Sequence, residues 1–128
     1  MNAALRQRAL FFRRVLARHC PQCGSGDLFR RWARLHERCS VCGLIYRRES
    51  GSMIGSMYLS AIATEFVAAA IALGLFFGTS WTPAVALSVG LALHLAFAAW
   101  FFPYSMSLWV AVEYATDVQN GEWWARPR

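Results

Sequence analysis

Ser52 to Phe77 reads SMIGSMYLSAIATEFVAAAIALGLFF, a stretch whose single charge is Glu65. Ala84 to Phe102, AVALSVGLALHLAFAAWFF, carries no charge, and His94 is its one ionisable group. About 20 apolar residues cross a bilayer, and only a helix or a closed barrel satisfies every backbone polar group in hydrocarbon. Two segments cannot close a barrel, so 52–77 and 84–112 are predicted transmembrane helices, the second extending past Pro103. The alternative is a soluble helical hairpin. Residues 78–83, Gly-Thr-Ser-Trp-Thr-Pro, are rich in turn formers and make the two helices antiparallel neighbours.

Charge is distributed as unevenly as hydrophobicity. Charged residues make up 16% of the 128-residue chain, against about 25% for globular proteins, so one evenly solvated globule or a soluble α/β enzyme is improbable. Residues 1–48 hold eleven of the thirteen basic residues, all arginine, with only Asp27 and Glu37 against them. From 49 to 125 there are only acids, namely Glu49, Glu65, Glu113, Asp117 and Glu122, and Arg126 and Arg128 follow. Basic residues flanking spans stay cytoplasmic, which predicts cytoplasmic termini and a periplasmic 78–83 loop. Neither span has the position or flanks of a cleavable signal peptide, so no processing is expected.

All four cysteines lie in the basic head, as Cys20-Pro21-Gln22-Cys23-Gly24 and Cys39-Ser40-Val41-Cys42-Gly43. Two C-x-x-C pairs separated by about 15 residues are a zinc signature. The glycine after each pair lets the backbone turn back with its N–H groups toward sulfur, and two such knuckles close a tetrahedral site. With no open ligand position, a metal at Cys20, Cys23, Cys39 and Cys42 is expected to be structural. Rubredoxin-like iron suits the same four thiolates; two disulfides fit a reducing compartment poorly, and thioredoxin-type chemistry lacks its βαβ context. The segment Leu28–Arg38 reads as a short strand pair hung on the metal. A head spanning 19–48 is too small to fold by its own core, so metal binding and folding are expected to be coupled.

Residues 1–18 are predicted to form a basic amphipathic helix on anionic lipid. Leu5, Ala9, Phe12 and Leu16 make its apolar stripe, Arg6, Arg13, Arg14 and Arg18 meet the headgroups, and Arg8 intrudes on the apolar face. Basic ribbons with exposed Phe29 and Trp32 also suggest a nucleic-acid binder, which tethering to a membrane disfavours. A mitochondrial presequence is weaker still, since the stretch has no serine.

Small residues recur at Ser52, Ser56, Ser60, Thr64, Ala68 and Ala72, and at Ala84, Ser88, Ala92 and Ala96. Such rows let helix backbones approach closely. A four-residue repeat drifts around a 3.6-residue helix, so contact with another protein's helices is expected besides the hairpin contact; a genomic bias towards alanine and arginine is the bland alternative. Counted from the loop, Glu65 and His94 differ in height by only about 3 Å and are expected to pair or to stay neutral. His94, among Gly90, Ala92, Ala96 and Ala98, is also a candidate ligand for haem or a chlorophyll-type pigment. Pro103 is expected to bend the second helix. Phe101, Phe102, Tyr104 and Trp109 form an aromatic belt, and 113–128 is expected to be a cytoplasmic tail, with Trp123 and Trp124 returning to the headgroups or capping a partner. No nucleophile has a histidine and carboxylate arrangement that sequence can justify, so the chain is expected not to be an enzyme.

The combination of Cys20-Pro21-x-Cys23-Gly24, Gly26-Asp27-Leu28-Phe29, Cys39-x-x-Cys42-Gly43, Arg48-Glu49-Ser50-Gly51, Gly55-Ser56-Met57-Tyr58, two spans, Pro103-Tyr104-Ser105 and Leu108-Trp109 resembles a bacterial family, the domain of unknown function family 983. The resemblance covers about residues 19–115. It implies a membrane-anchored zinc ribbon with no established activity and suggests help in building or steadying redox membrane complexes, such as respiratory ones. With the small-residue faces and the basic head, the chain is expected to be an accessory subunit or assembly factor of a larger complex in the bacterial inner membrane. Many relatives carry a basic residue near Met106, which this chain lacks.

Overall fold

The computed structural model describes residues 3–47 and 51–125, with residues 3–9 described by their backbone alone. Helix α1 (Ala3–Leu16) leads into a two-stranded hairpin, β1 (Phe29–Arg31) and β2 (Arg34–Leu35), followed by α2 (Ile54–Gly78) and α3 (Pro83–Asn120). The strand pair expected between the knuckles is antiparallel, with Phe29 opposite Leu35.

The helical hairpin follows from local chemistry at its turn. The Thr79 hydroxyl donates to the Leu75 carbonyl at 2.7 Å, satisfying an orphan acceptor at the end of α2. Pro83 opens α3, where its locked φ and missing N–H cost nothing. Both helices are long and apolar enough to cross a membrane. Gly90 packs beside Ile71, and Trp109 bonds Ser52; each pair is equidistant from the loop centre, so the two arms run level.

Helix α3 does not stop where a tail was expected. It runs unbroken past Pro103 and through 113–120, ending at Gly121, which adopts a left-handed φ of 73° and donates to the Asp117 and Val118 carbonyls. The reason is tertiary. Val110, Tyr114 and Asp117 are buried along one face of the extension, and Val110 and Tyr114 pack with the head. Asp117, read from sequence as an exit into water, is buried and accepts a hydrogen bond from Trp124 Nε1 at 3.2 Å. Ala125 then returns the chain to the core, so Trp124 caps the end of α3 while Trp123 stays exposed.

One buried cluster joins the head to this extension: Cys20, Leu28, Cys39, Leu44 and Tyr46 from the head pack with Val110, Tyr114 and Ala125. Helix α1 completes it. The Val15 carbonyl accepts from the buried Ser107 hydroxyl at 2.8 Å, and Phe11 stacks on Tyr114 at 6.4 Å. The chain steps backwards along α1 as it steps forwards along α3, so α1 runs antiparallel beside the extension, its C-terminal end toward the hairpin. The inward stripe is therefore Phe11 and Val15, whereas Phe12 and Leu16, expected on the apolar stripe, are exposed. The side chains of Leu5, Arg6, Arg8 and Ala9 are not among those described.

Candidate metal centre

Each cysteine pair sits on a small hairpin built to the same plan. In the first, His19 bridges Asp27, Cys20 N–H donates to the Gly26 carbonyl at 2.8 Å, and Gly24 N–H donates back to the Cys20 carbonyl at 2.9 Å. In the second, Arg38 bridges Ile45, Cys39 N–H donates to the Leu44 carbonyl at 2.8 Å, and Gly43 N–H donates to the Cys39 carbonyl at 3.1 Å. Gly24 and Gly43 hold φ values of 72° and 76°, a region costly for residues with a Cβ. The expectation of a glycine turn after each pair is met in both knuckles.

The two hairpins bring all four Sγ atoms within 4.8 Å of one another. Cys20 and Cys42 sulfurs lie 3.6 Å apart, and those of Cys23 and Cys39 lie 3.7 Å apart. A tetrahedron of thiolates about 2.3 Å from a central ion has edges of about 3.8 Å, so the donor set fits a four-coordinate metal. The four cysteines are free of disulfides. Gly26 lets the knuckles close on each other: a Cβ there would overlap the Cys39 sulfur.

Electrostatics favour a cation at this point. Burial pushes the Cys20 thiol up and the Cys42 thiol up to about 12, the latter helped by its neighbours Cys20 and Cys39. Burial also works against ionisation of Cys39, but the Tyr46 hydroxyl and the Cys42 and Val41 amides outweigh it and bring Cys39 down to about 6. Without a cation the cluster ionises unevenly, because several thiolates cannot share so small a volume. The buried Tyr46 hydroxyl has no oxygen or nitrogen partner among the described residues and lies beside Cys20 and Cys39; burial first, and then these two sulfurs, push its pKa well above the usual phenol range. An O–H so placed could donate to a sulfur that held a metal. Four cysteines with this support could hold a metal ion.

A family model described as a protein of unknown function (DUF983) matches residues 29–114. The chain belongs to this family. Among curated proteins and among solved structures nothing matches. In this DUF983 chain the second cysteine pair, Tyr46, α2 and most of α3 fall inside the match, while Cys20 and Cys23 precede it.

Several residues of the family pattern prove to be neighbours. Gly55 lies under the indole of Trp109, whose Nε1 donates to the Ser52 carbonyl at 2.6 Å and to Glu113 Oε1 at 3.0 Å. Sequence reading put Trp109 in an aromatic belt and missed this clamp; its joint occurrence with Gly55 in the resemblance was the available signal. Arg48, Glu49 and Ser50 of that pattern lie outside the described residues. Sequence reading also missed Tyr46 and the brace made by Arg14.

Arg14, expected at headgroups, turns inward instead: its Nη1 donates to the Pro21 and Gln22 carbonyls of the first knuckle, each at 3.2 Å. Arg18 takes a left-handed φ of 59° and lies over the rings of Phe29 and Tyr104 at 6.0 and 5.5 Å. Of the four arginines assigned to lipid, Arg13 remains exposed, and the Arg6 side chain is outside the described residues.

In the hairpin the two small-residue rows fare differently. Ser56 is buried and Ser60, Thr64 and Ala68 are partly buried, although the Ser56 and Thr64 hydroxyls bond their own helix. Ser52 lies in the turn before α2, its hydroxyl buried without a partner among the described residues. Ala84, Ser88, Ala92 and Ala96 are exposed, and α3 instead turns Ala86, Gly90, His94 and Phe97 to less exposed positions. Glu65 is exposed while His94 is partly buried. Among the described residues no hydrogen bond or ion pair joins the two, and His94 Nδ1 is buried without a partner.

Proposed function

We propose that this protein is a non-catalytic, membrane-anchored zinc-ribbon subunit or assembly factor, working by contact with a larger membrane complex. The observation that carries this reading is the single cluster uniting Cys20, Cys39 and Tyr46 with Val110 and Tyr114. The metal centre is thereby the staple of a rigid cap on the end of a helix, and a closed four-thiolate set leaves no coordination position for substrate. Zinc is favoured over iron by the knuckle spacing.

Insertion in a membrane is supported by side chains that a soluble protein would hide: Phe66, Phe76, Phe77 and Leu87 are each more than 70% exposed along α2 and α3. The arginine-rich head then faces the cytoplasm of a bacterial inner membrane, with both termini on that side. The exposed face bearing Ser88, Ala92 and Ala96 offers another protein's helix a close approach. Purification in mild detergent, with crosslinking from cysteines introduced at Ser88 and Ala92, tests the subunit reading. A defined membrane partner crosslinked at these positions is expected; a chain that runs alone and crosslinks to nothing contradicts it.

A second reading rests on the unpartnered His94 Nδ1, which a cofactor or a partner's polar group would satisfy. Metal analysis and a visible spectrum of the purified chain separate the readings. Zinc with no visible band supports the structural centre; a Soret or red band abolished by His94→Ala supports the cofactor, and thiolate-to-iron absorption supports a redox centre.

A further inference from the structure

Between the end of α1 and the ribbon hairpin lies an open cleft of about 360 Å³, lined by Ala17, Arg18, Asp27, Phe29, Arg31 and Trp32. We infer that this cleft binds the phosphate group of an anionic phospholipid. The inference rests on the membrane insertion proposed above, and it concerns the face of the head turned toward the hairpin.

Charge is the first argument. Asp27 is paired with His19, Oδ1 to Nε2, at 3.5 Å. Among the described residues no carboxylate pairs with Arg18 or Arg31, and the cleft's one carboxylate, Asp27, lies against His19, so two guanidinium groups face a single acid and the lining keeps an excess of positive charge. Guanidinium forks match phosphate oxygens in pairs. Arg18 is held in place by its left-handed backbone and the flanking rings of Phe29 and Tyr104, so little side-chain freedom is lost on binding.

Level is the second argument. Trp32, from the cleft wall, rests against Phe102 at 6.1 Å, and Phe102 closes the uncharged stretch of α3. Arg18 lies over Tyr104, two residues further on. A helix that enters at Pro83 has risen about 30 Å by Phe102, the thickness of the hydrocarbon core. The cleft therefore sits at headgroup depth, with an indole facing the acyl side and guanidiniums facing the phosphate. A soluble phosphate ester shares the polar chemistry but has no use for the apolar wall of Trp32 and Phe102.

The test uses the full, metal-loaded chain in detergent, offered phosphatidylglycerol or phosphatidylcholine, with retained lipid counted by native mass spectrometry. Phosphatidylglycerol is expected to be retained preferentially. Arg31→Gln is expected to weaken it roughly tenfold, the loss of one charge-assisted bond, whereas Arg30→Gln, an exposed arginine outside the cleft, leaves it unchanged. Metal content checks each head, and Trp32→Ala carries the same test should Arg31→Gln lose its metal. Equal retention of the two lipids, or equal effects of Arg30→Gln and Arg31→Gln, would overturn the assignment. So would inorganic phosphate filling the site with no competition from lipid. Extraction of the chain from vesicles by alkaline carbonate defeats the membrane reading instead; insertion without lipid preference defeats this inference alone.

Discussion

Trp109 Nε1 donates to the carbonyl of Ser52 at 2.6 Å, closing the base of the helical hairpin across 57 residues of sequence. That carbonyl lies just ahead of α2, where no helical amide reaches it, and Gly55 supplies the flat surface on which the indole lies. The clamp ties the loop leaving the head to the helix that carries the head.

Gly55→Ala is expected to force the indole of Trp109 away and to lower stability by about 1–3 kcal/mol, the usual cost of overpacking. Trp109→Phe keeps a ring but leaves the Ser52 carbonyl without its donor, at about 1 kcal/mol. Thermal unfolding in detergent ranks the two variants; a Gly55→Ala chain as stable as wild type contradicts the clamp.

Cys20→Ser or Cys39→Ser is expected to abolish metal binding and to open the whole head, because a core of this size depends on its staple. Trypsin reports the change, since the head is rich in arginine. A head that stays resistant to trypsin after complete metal removal contradicts a structural centre.

One glycine and one tyrosine, neither of them a metal ligand, should support the cage. Gly26→Ala displaces the Cys39 sulfur, and Tyr46→Phe removes the hydroxyl beside Cys20 and Cys39. Each is expected to lower metal affinity roughly 10–100-fold, as supporting contacts do elsewhere. Competition with a calibrated chelator measures it, and unchanged affinity in both variants removes their supporting role.

Metal uptake should release thiol protons unevenly. Cys39, held down to about 6, is mostly ionised at pH 7, whereas Cys20 and Cys42, pushed up, still carry protons that the metal must displace. Affinity therefore rises with pH above 7 and falls on acidification, most steeply once Cys39 itself protonates near 6. Calorimetry at pH 7 in two buffers of different ionisation enthalpy is expected to find fewer protons released than there are thiol ligands. Release of one proton from every ligand contradicts the depressed Cys39.

Ser107→Ala removes the buried bond to the Val15 carbonyl, and Arg14→Met removes the donors to Pro21 and Gln22. Each is expected to loosen α1 by about 1 kcal/mol. Hydrogen exchange along 10–18 reads this directly. Protection unchanged in both variants shows that α1 is held by other contacts.

The hairpin and the cysteine cage were legible because their physics is local. Uninterrupted apolar runs and a turn-rich connection determine two antiparallel helices, and cysteine spacing with a trailing glycine determines each knuckle. The length of α3 was not legible: Glu113 and Asp117 look like an exit into water until Trp109 and Trp124 are known to bond them. The same holds for Arg14, whose charge suggests a surface until the knuckle carbonyls appear beside it.

By itself the sequence determined which segments are apolar, where the basic charge lies and which four side chains can share a metal, since spacing and composition are properties of neighbours along the chain. Only the tertiary structure decided that the head packs on α3, that α1 stands beside it with Phe11 and Val15 inward, and that Glu65 and His94 are unjoined. Those outcomes depend on which faces of separate elements meet. A 3.6-residue helix offers several faces of similar hydrophobicity, and the choice among them is made by the partner's shape.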